Sequence, residues 1–188
     1  IAKLISDVLA RRARLPAEDD VVRAASVLNA GKKIAILCGQ GALDATDELE
    51  EVAESLGAPI IKALLGKAAV PDRSPYTTGG IGLLGTKPSQ EALEQCDTLL
   101  MVGTSFPYIE FLPKPGTARG VQIDLDPVRI GLRYPVEVGL VGDSRGSLRA
   151  LLPHLQRNED RSFLDHAQAG AKEWWKLMEE RGTRQDRP

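Results

Sequence analysis

Three short stretches of this chain have the residue types and spacing to do chemistry: Gly39-Gln40-Gly41, Gly103-Thr104-Ser105, and the acids Asp124 and Asp126. Each follows an apolar run that reads as a strand. In an open parallel sheet the carboxyl ends of the strands share one edge, where backbone amides and helix N-termini point outward and nucleotides bind. Glycine lets backbone approach a pyrophosphate, hydroxyls such as those of Thr104 and Ser105 suit a phosphate or ribitol chain, and a carboxylate at a strand end accepts from a ribose hydroxyl. One crevice could collect all three. Each stretch also has a plain structural reading. Gly39-Gln40-Gly41 can be a tight strand-to-helix turn, since the third glycine of a dinucleotide fingerprint is missing and Asp44 stands in its vicinity. Asp124 and Asp126 divide between ribose binding and loop capping. Nothing nearby would push their pKa values apart, and no nucleophile or histidine accompanies them, so no catalytic and no metal-binding residue is assigned.

The elements that must position these stretches alternate between apolar runs and amphipathic segments. Pro16 opens a helix whose Val21, Val22, Ala25 and Leu28 fall at helical spacing, with Glu18, Asp19 and Asp20 at its positive end and Gly31 at its stop. Lys33 to Cys38 reads as a strand buried on both faces. Asp44 is expected to cap a helix carrying Leu49, Val52, Ala53 and Leu56 and ending at Gly57, and Pro59 to Ala63 is the next strand. From Leu65 to Lys87 the chain is rich in Gly and Pro, too long for a passive turn. Ile81, Leu83 and Leu84 set among Gly79, Gly80, Gly82 and Gly85 favour an ordered loop that comes close to something, with a short strand near Tyr76 to Thr78. Pro88 leads a helix, Thr98 to Val102, Val121 to Asp124 and Val138 to Val141 are strands, and Asp143 caps a helix that Pro153 distorts at its end. A polar helix from Ser162 carries Trp174 and Trp175, for which an inter-domain contact is the expected use. This alternation predicts a parallel sheet covered on both faces and wound with right-handed crossovers.

Composition narrows the function classes. The 188 residues, 43% apolar, suffice for one compact domain. A net charge of -2 with scattered basic residues gives no footprint for nucleic acid or an anionic membrane. No apolar run approaches a membrane span and no signal-peptide core opens the chain, so a cytoplasmic protein is expected. Cys38 and Cys96 lack neighbours at metal-ligand spacing and read as buried free thiols; His154 and His166 read as surface residues. The start at Ile1 and the Arg-rich end lead to the expectation of a piece of something longer.

Taken together, AILCGQGA, GKAAVPDRSPYTTGGIGLLGT, DTLLMVGTSFPY and VQIDLDPVRIGLRYPVEVGLVGDSRGSLRALLPHL resemble, in order over Pro16 to Leu155, the central domain of thiamine-diphosphate-dependent enzymes. The resemblance is nearest to the pyruvate oxidase and pyruvate:quinone dehydrogenase branch, then acetolactate synthase, and FLDHAQAGAKEWW looks like that branch's continuation. It implies a Rossmann-like three-layer α/β sandwich with a six-stranded parallel sheet over residues 16–155, leaving a linker or N-terminal extension over 1–15 and a helical tail or linker over 156–188 leading to a further domain. In flavin-dependent branches this domain binds FAD. Carried across by motif, the contacts are Ile81, Gly82, Leu83 and Leu84, then Gly103, Thr104, Ser105, Phe106 and Pro107, then Asp124 with Asp126 beside it, joined by Gly39 and Gly41 from the first strand end. The family's catalytic glutamate and its GDG-to-NN metal motif have no counterpart here, Gly142-Asp143-Ser144 being neither. Thiamine diphosphate and Mg2+ are therefore expected only in the full-length enzyme, with other domains of the polypeptide and a homo-oligomer as partners and no catalysis by this domain alone. Two alternatives stand beside the FAD reading: a structural or oligomerisation module like that of non-flavin decarboxylases, and an independent NAD(P)- or ADP-binding domain.

Overall fold

The computed structural model describes residues 14–183; most of the linker expected over residues 1–15 lies outside them. Its helices and strands run, in chain order, α1 (Glu18–Asn29), β1 (Ile34–Cys38), α2 (Thr46–Leu56), β2 (Ile60–Lys62), β3 (Thr77–Gly80), α3 (Lys87–Gln95), β4 (Thr98–Val102), β5 (Arg119–Asp124), β6 (Val138–Val141), α4 (Ser144–Leu151) and α5 (Ser162–Gly182). The six strands form one sheet in the order β3-β2-β1-β4-β5-β6, with every neighbouring pair parallel. The sandwich read from the sequence is therefore the fold.

Parallel strands need cover on both faces, and the alternation of side chains supplies it. Ile34, Ile36, Cys38, Leu100, Val102, Val121 and Ile123 point to one face, where they pack with the apolar stripes of α1, α2 and α4. Ala35, Leu37, Leu99 and Met101 point to the other, against Ala92 and Leu93 of α3 and Phe163 of α5. The tail helix α5 is thus docked: Phe163, Leu164, Ala167 and Ala171 are buried, and it lies on α3 and β3. Among the described residues no helix is long and apolar enough to cross a membrane.

Several ends follow the expected chemistry. Asp143 accepts from the Gly146 amide (2.9 Å) and caps α4, which tightens into a 3-10 turn at Leu152–His154 around Pro153. Gly57 ends α2 in the left-handed conformation. Two ends differ. Helix α1 begins at Glu18, with Ala17 rather than Pro16 at its boundary, because the backbone is still extended at Ala17. Asp44 does not cap α2: a 3-10 turn over Gln40–Ala42 uses up the residues after β1, and Ala45 stands at the cap with no side-chain bond.

Opposite α5, Glu54 ties α2 to the segment leading into that helix. Its carboxylate accepts from Arg157 (2.8 Å), Arg161 (2.6 Å) and the Tyr76 hydroxyl (3.0 Å), and its backbone carbonyl from Arg161. The bond from Arg157, ahead of the charge of Arg161, holds this carboxyl below the usual carboxylate range. A depressed carboxyl contributes stability that is present above its unfolded pKa and lost as pH falls through the folded one. Glu54→Gln is expected to cost no more than about 1 kcal/mol at pH 7, because the group is part-exposed. The cost should disappear on titration toward pH 3, as measured by urea midpoints across pH. Burial pushes both the Cys38 and the Cys96 thiol up to about 12. A thiol reagent at pH 8 should therefore label neither cysteine in the folded chain and both after unfolding.

Candidate nucleotide site

The strand order reverses between β1 and β4, and the chain leaves both strands through glycine. There the two loops pack backbone on backbone. The Gly39 amide donates to Val102 O (3.0 Å) and the Gly41 amide to Gly103 O (2.9 Å). A Cβ on Gly41 would stand 2.8 Å from the Gly103 Cα, and Gly103, at φ +57°, would carry one 2.5 Å from the Gly41 carbonyl carbon. Gly39 and Gly41 thus close the switch point with their own amides already engaged. A tight turn, one of the two readings of this stretch, is present as the 3-10 turn over Gln40–Ala42.

The open part of the edge lies to one side, over β2 and β3. A cavity of about 440 Å³ is walled there by Ile81, Gly82, Leu83 and Leu84, by Phe106 and Tyr108 from the loop after β4, and by Trp175 of α5. That volume lies within the range of small-molecule and cofactor sites. Its glycine loop is held from below: Thr86 Oγ1 lies 2.7 Å from Thr78 O and 2.9 Å from Ser89 Oγ, and the Thr86 amide donates to Gly80 O (2.9 Å). The loop after β4 meets it through Phe106, whose ring lies 3.6 Å from where a Gly82 Cβ would stand and packs edge-on with Tyr108 at 5.5 Å. In both loops the N–H groups at the tips, those of Gly82, Leu83 and Leu84 and of Thr104, Ser105 and Phe106, have no partner among the described residues. Leu83 and Leu84 are 83% and 90% exposed, an unusual placement for leucine.

Asp124 and Asp126 sit at the end of β5 and do not line this cavity. Asp124, 6% exposed, accepts from the Asp126 amide (3.0 Å), and Asp126 accepts from the Val128 amide (3.1 Å) and pairs with Arg129 (3.6 Å). Both carboxylates thus cap their own loop, leaving the second oxygen of Asp124 without a hydrogen bond among the described residues. From β3 to β5 is four strand spacings, roughly 19 Å, a distance an extended dinucleotide can span.

Two further residues shape the site without a signal in the sequence pattern. Gln122, buried in β5, donates to Arg129 O (3.0 Å) and accepts from the Gly131 amide (2.9 Å), with Thr104 O at 3.4 Å, so one side chain ties the loops after β4 and β5 together. Lys62, read only as part of an apolar strand, is 2% exposed; its ammonium bonds Val70 O (3.2 Å) and Asp72 (2.5 Å), and both Lys62 and Asp72 line the cavity. Of Trp174 and Trp175, expected from the sequence to make an inter-domain contact, Trp175 lines the cavity and is half-exposed. A second groove, of about 420 Å³ on the opposite side of the edge, has its arginines engaged: Arg149 and Arg145 lie 2.6 and 3.8 Å from Glu48. His154 and His166 are exposed, and among the described residues no cluster of His, Cys, Asp and Glu could hold a metal ion.

Comparison with known proteins gives the site its context. Residues 21–151 match the family model for the thiamine pyrophosphate enzyme, central domain. Bacillus subtilis YdaP, named as a thiamine pyrophosphate-containing protein, is 44% identical over 92% of this chain, which spans 30% of YdaP. Pyruvate oxidase of Lactiplantibacillus plantarum is 30% identical over 89% of the chain and 28% of its own length, and acetolactate synthases match as well. A solved structure from Mycobacterium smegmatis, described as a thiamin diphosphate-dependent enzyme, superposes with a TM-score of 0.66 at 28% identity, covering 79% of this chain and 30% of that one. The chain therefore spans about a third of the length of the relatives it matches.

The sealed switch point makes a direct prediction. Gly103→Ala places a side chain both in left-handed backbone and against Gly41, and should destabilise the fold by roughly 2–5 kcal/mol. Urea denaturation of the variant checks it.

Proposed function

The chain belongs to the thiamine pyrophosphate enzyme central-domain family, and from that premise we propose that its carboxyl edge binds FAD within a larger enzyme of the pyruvate oxidase or acetolactate synthase type. The observation that carries this reading is the pair of neighbouring loops, 81–84 and 103–107, which share the wall of an aromatic-lined cavity and have unengaged amides at their tips. The residues fit the cofactor piece by piece. The cavity takes the flat ring system between apolar walls, the amides and the Thr104 and Ser105 hydroxyls serve the ribityl and pyrophosphate groups, and the open oxygen of Asp124 accepts from the adenosine ribose. FAD, when bound, supplies two-electron chemistry; this domain binds and orients it.

In the proposed enzyme, thiamine diphosphate and its Mg2+ belong to other domains, and this domain does no catalysis by itself. The domain proper is taken as residues 16–155, with the helix of 162–182 docked on it and leading onward. Leu64, Leu65 and Ile109, all exposed beside the cavity, suit burial against those other domains or a second subunit. Two buried, unbridged thiols are consistent with a cytoplasmic setting. The same apolar rim favours the second reading, a module that only joins domains. An independent NAD(P) site at Gly39-Gln40-Gly41 has less support, because the amides of both glycines are engaged.

Purified protein should carry flavin absorbance near 450 nm or acquire it on reconstitution with FAD, roughly stoichiometrically, and Asp124→Ala should lose at least tenfold in affinity, as expected for a charge-assisted hydrogen bond worth about 1.5–3 kcal/mol. Protein without flavin, or with flavin content indifferent to Asp124→Ala, contradicts the FAD reading and leaves the joining module.

A further inference from the structure

Lys62 clamps the loop after β2, yet its place in the strand does not call for a charge. It ends β2 after Ile60 and Ile61, at a position an apolar residue would fill, and lysine is almost never this buried unless it is paired. An ammonium has three protons to donate. Two go to Val70 O and Asp72, and the third has no partner among the described residues. The charges at this wall of the cavity are Lys62, Lys67 and Asp72. The Asp72 carboxylate is 56% exposed and its charge is screened by water; the Lys62 ammonium is withdrawn from water, so its field reaches into the cavity with less screening. The hydrogen bond from Lys62 lowers the Asp72 carboxyl below the usual carboxylate range.

We propose that Lys62 is a positioning and redox-tuning residue, whose ammonium stands beside the edge of the bound flavin ring that becomes electron-rich on reduction. The proposal rests on the reading of the cavity as a flavin site. A flavin that takes up two electrons and one proton carries one negative charge, shared between N1 and the C2 carbonyl, whereas with two electrons and two protons it is neutral. A fixed cation at that edge favours the charged form and raises the midpoint potential. Asp72 opposes it from the far side of the ammonium, so the two residues of one ion pair act on the ring with opposite signs.

The test is the midpoint potential of FAD bound to the full chain, titrated with dithionite against a reference dye. Lys62→Met should make reduction at least tenfold less favourable, about 30 mV for a two-electron couple. Asp72→Asn should shift the potential the opposite way, and Lys62→Arg should stay near the parent. If both Lys62→Met and Asp72→Asn keep the parent potential with flavin bound, the pair only clamps the loop after β2 and the proposal falls while the FAD reading stands. If the parent binds no flavin, the FAD reading falls and takes the proposal with it. Should Lys62→Met fail to fold, Asp72→Asn decides, since its carboxylate is largely at the surface.

Discussion

Where the strand order reverses, backbone touches backbone, and the layout of the carboxyl edge depends on that contact. Most Rossmann-like sheets leave a crevice at this point for a ligand. Here Gly41 and Gly103 approach too closely for any side chain between them, and Gly66 sits as tightly on Gly39, where its Cβ would be 2.6 Å from the Gly39 Cα. With the amides of Gly39 and Gly41 bonded to the end of β4, the first strand end becomes a foundation for the others. The loops after β3 and β4, raised above it, keep their tip amides open.

Buried polar side chains then fix the height and angle of those loops. Thr86 and Ser89 brace the loop of Ile81 to Leu84, Gln122 ties the loop of Gly103 to Pro107 to the one that carries Asp124, and Lys62 holds the long connection between β2 and β3. A buried polar group without its partner is costly, so each of these sets either forms completely or weakens the fold. That makes the edge rigid, which favours a ligand whose binding requires several donors to be in place at once.

Much of this was legible in the sequence, for physical reasons that also mark the boundary. Thr98 to Val102 and Val138 to Val141 are strands as read, because a continuous apolar run between turn residues has few other ways to fold. Asp143 caps its helix as expected, since its oxygen need only reach three residues ahead. Asp44 does not, because the 3-10 turn before it depends on the contact with Gly103, more than sixty residues away. Lys62 was invisible for the same reason: one lysine in an apolar run looks like a strand end emerging into water, and only the later placement of Val70 and Asp72 encloses it. The two glycine loops are candidates from the sequence, but that Phe106 and Gly82 line one cavity with Asp124 outside it depends on how the strands are ordered in the sheet.

If the carboxyl edge binds a flavin dinucleotide through the open amides of two loops, cofactor binding must change the exchange of those amides with solvent. Hydrogen–deuterium exchange with and without FAD tests it most directly. The amides of Gly82 to Leu84 and Thr104 to Phe106 should exchange quickly without the cofactor and become protected when it binds, while those of Gly39 and Gly41 should be protected throughout. Flavin binding that leaves both loops exchanging freely, or that protects Gly39 and Gly41 only when it occurs, would contradict it.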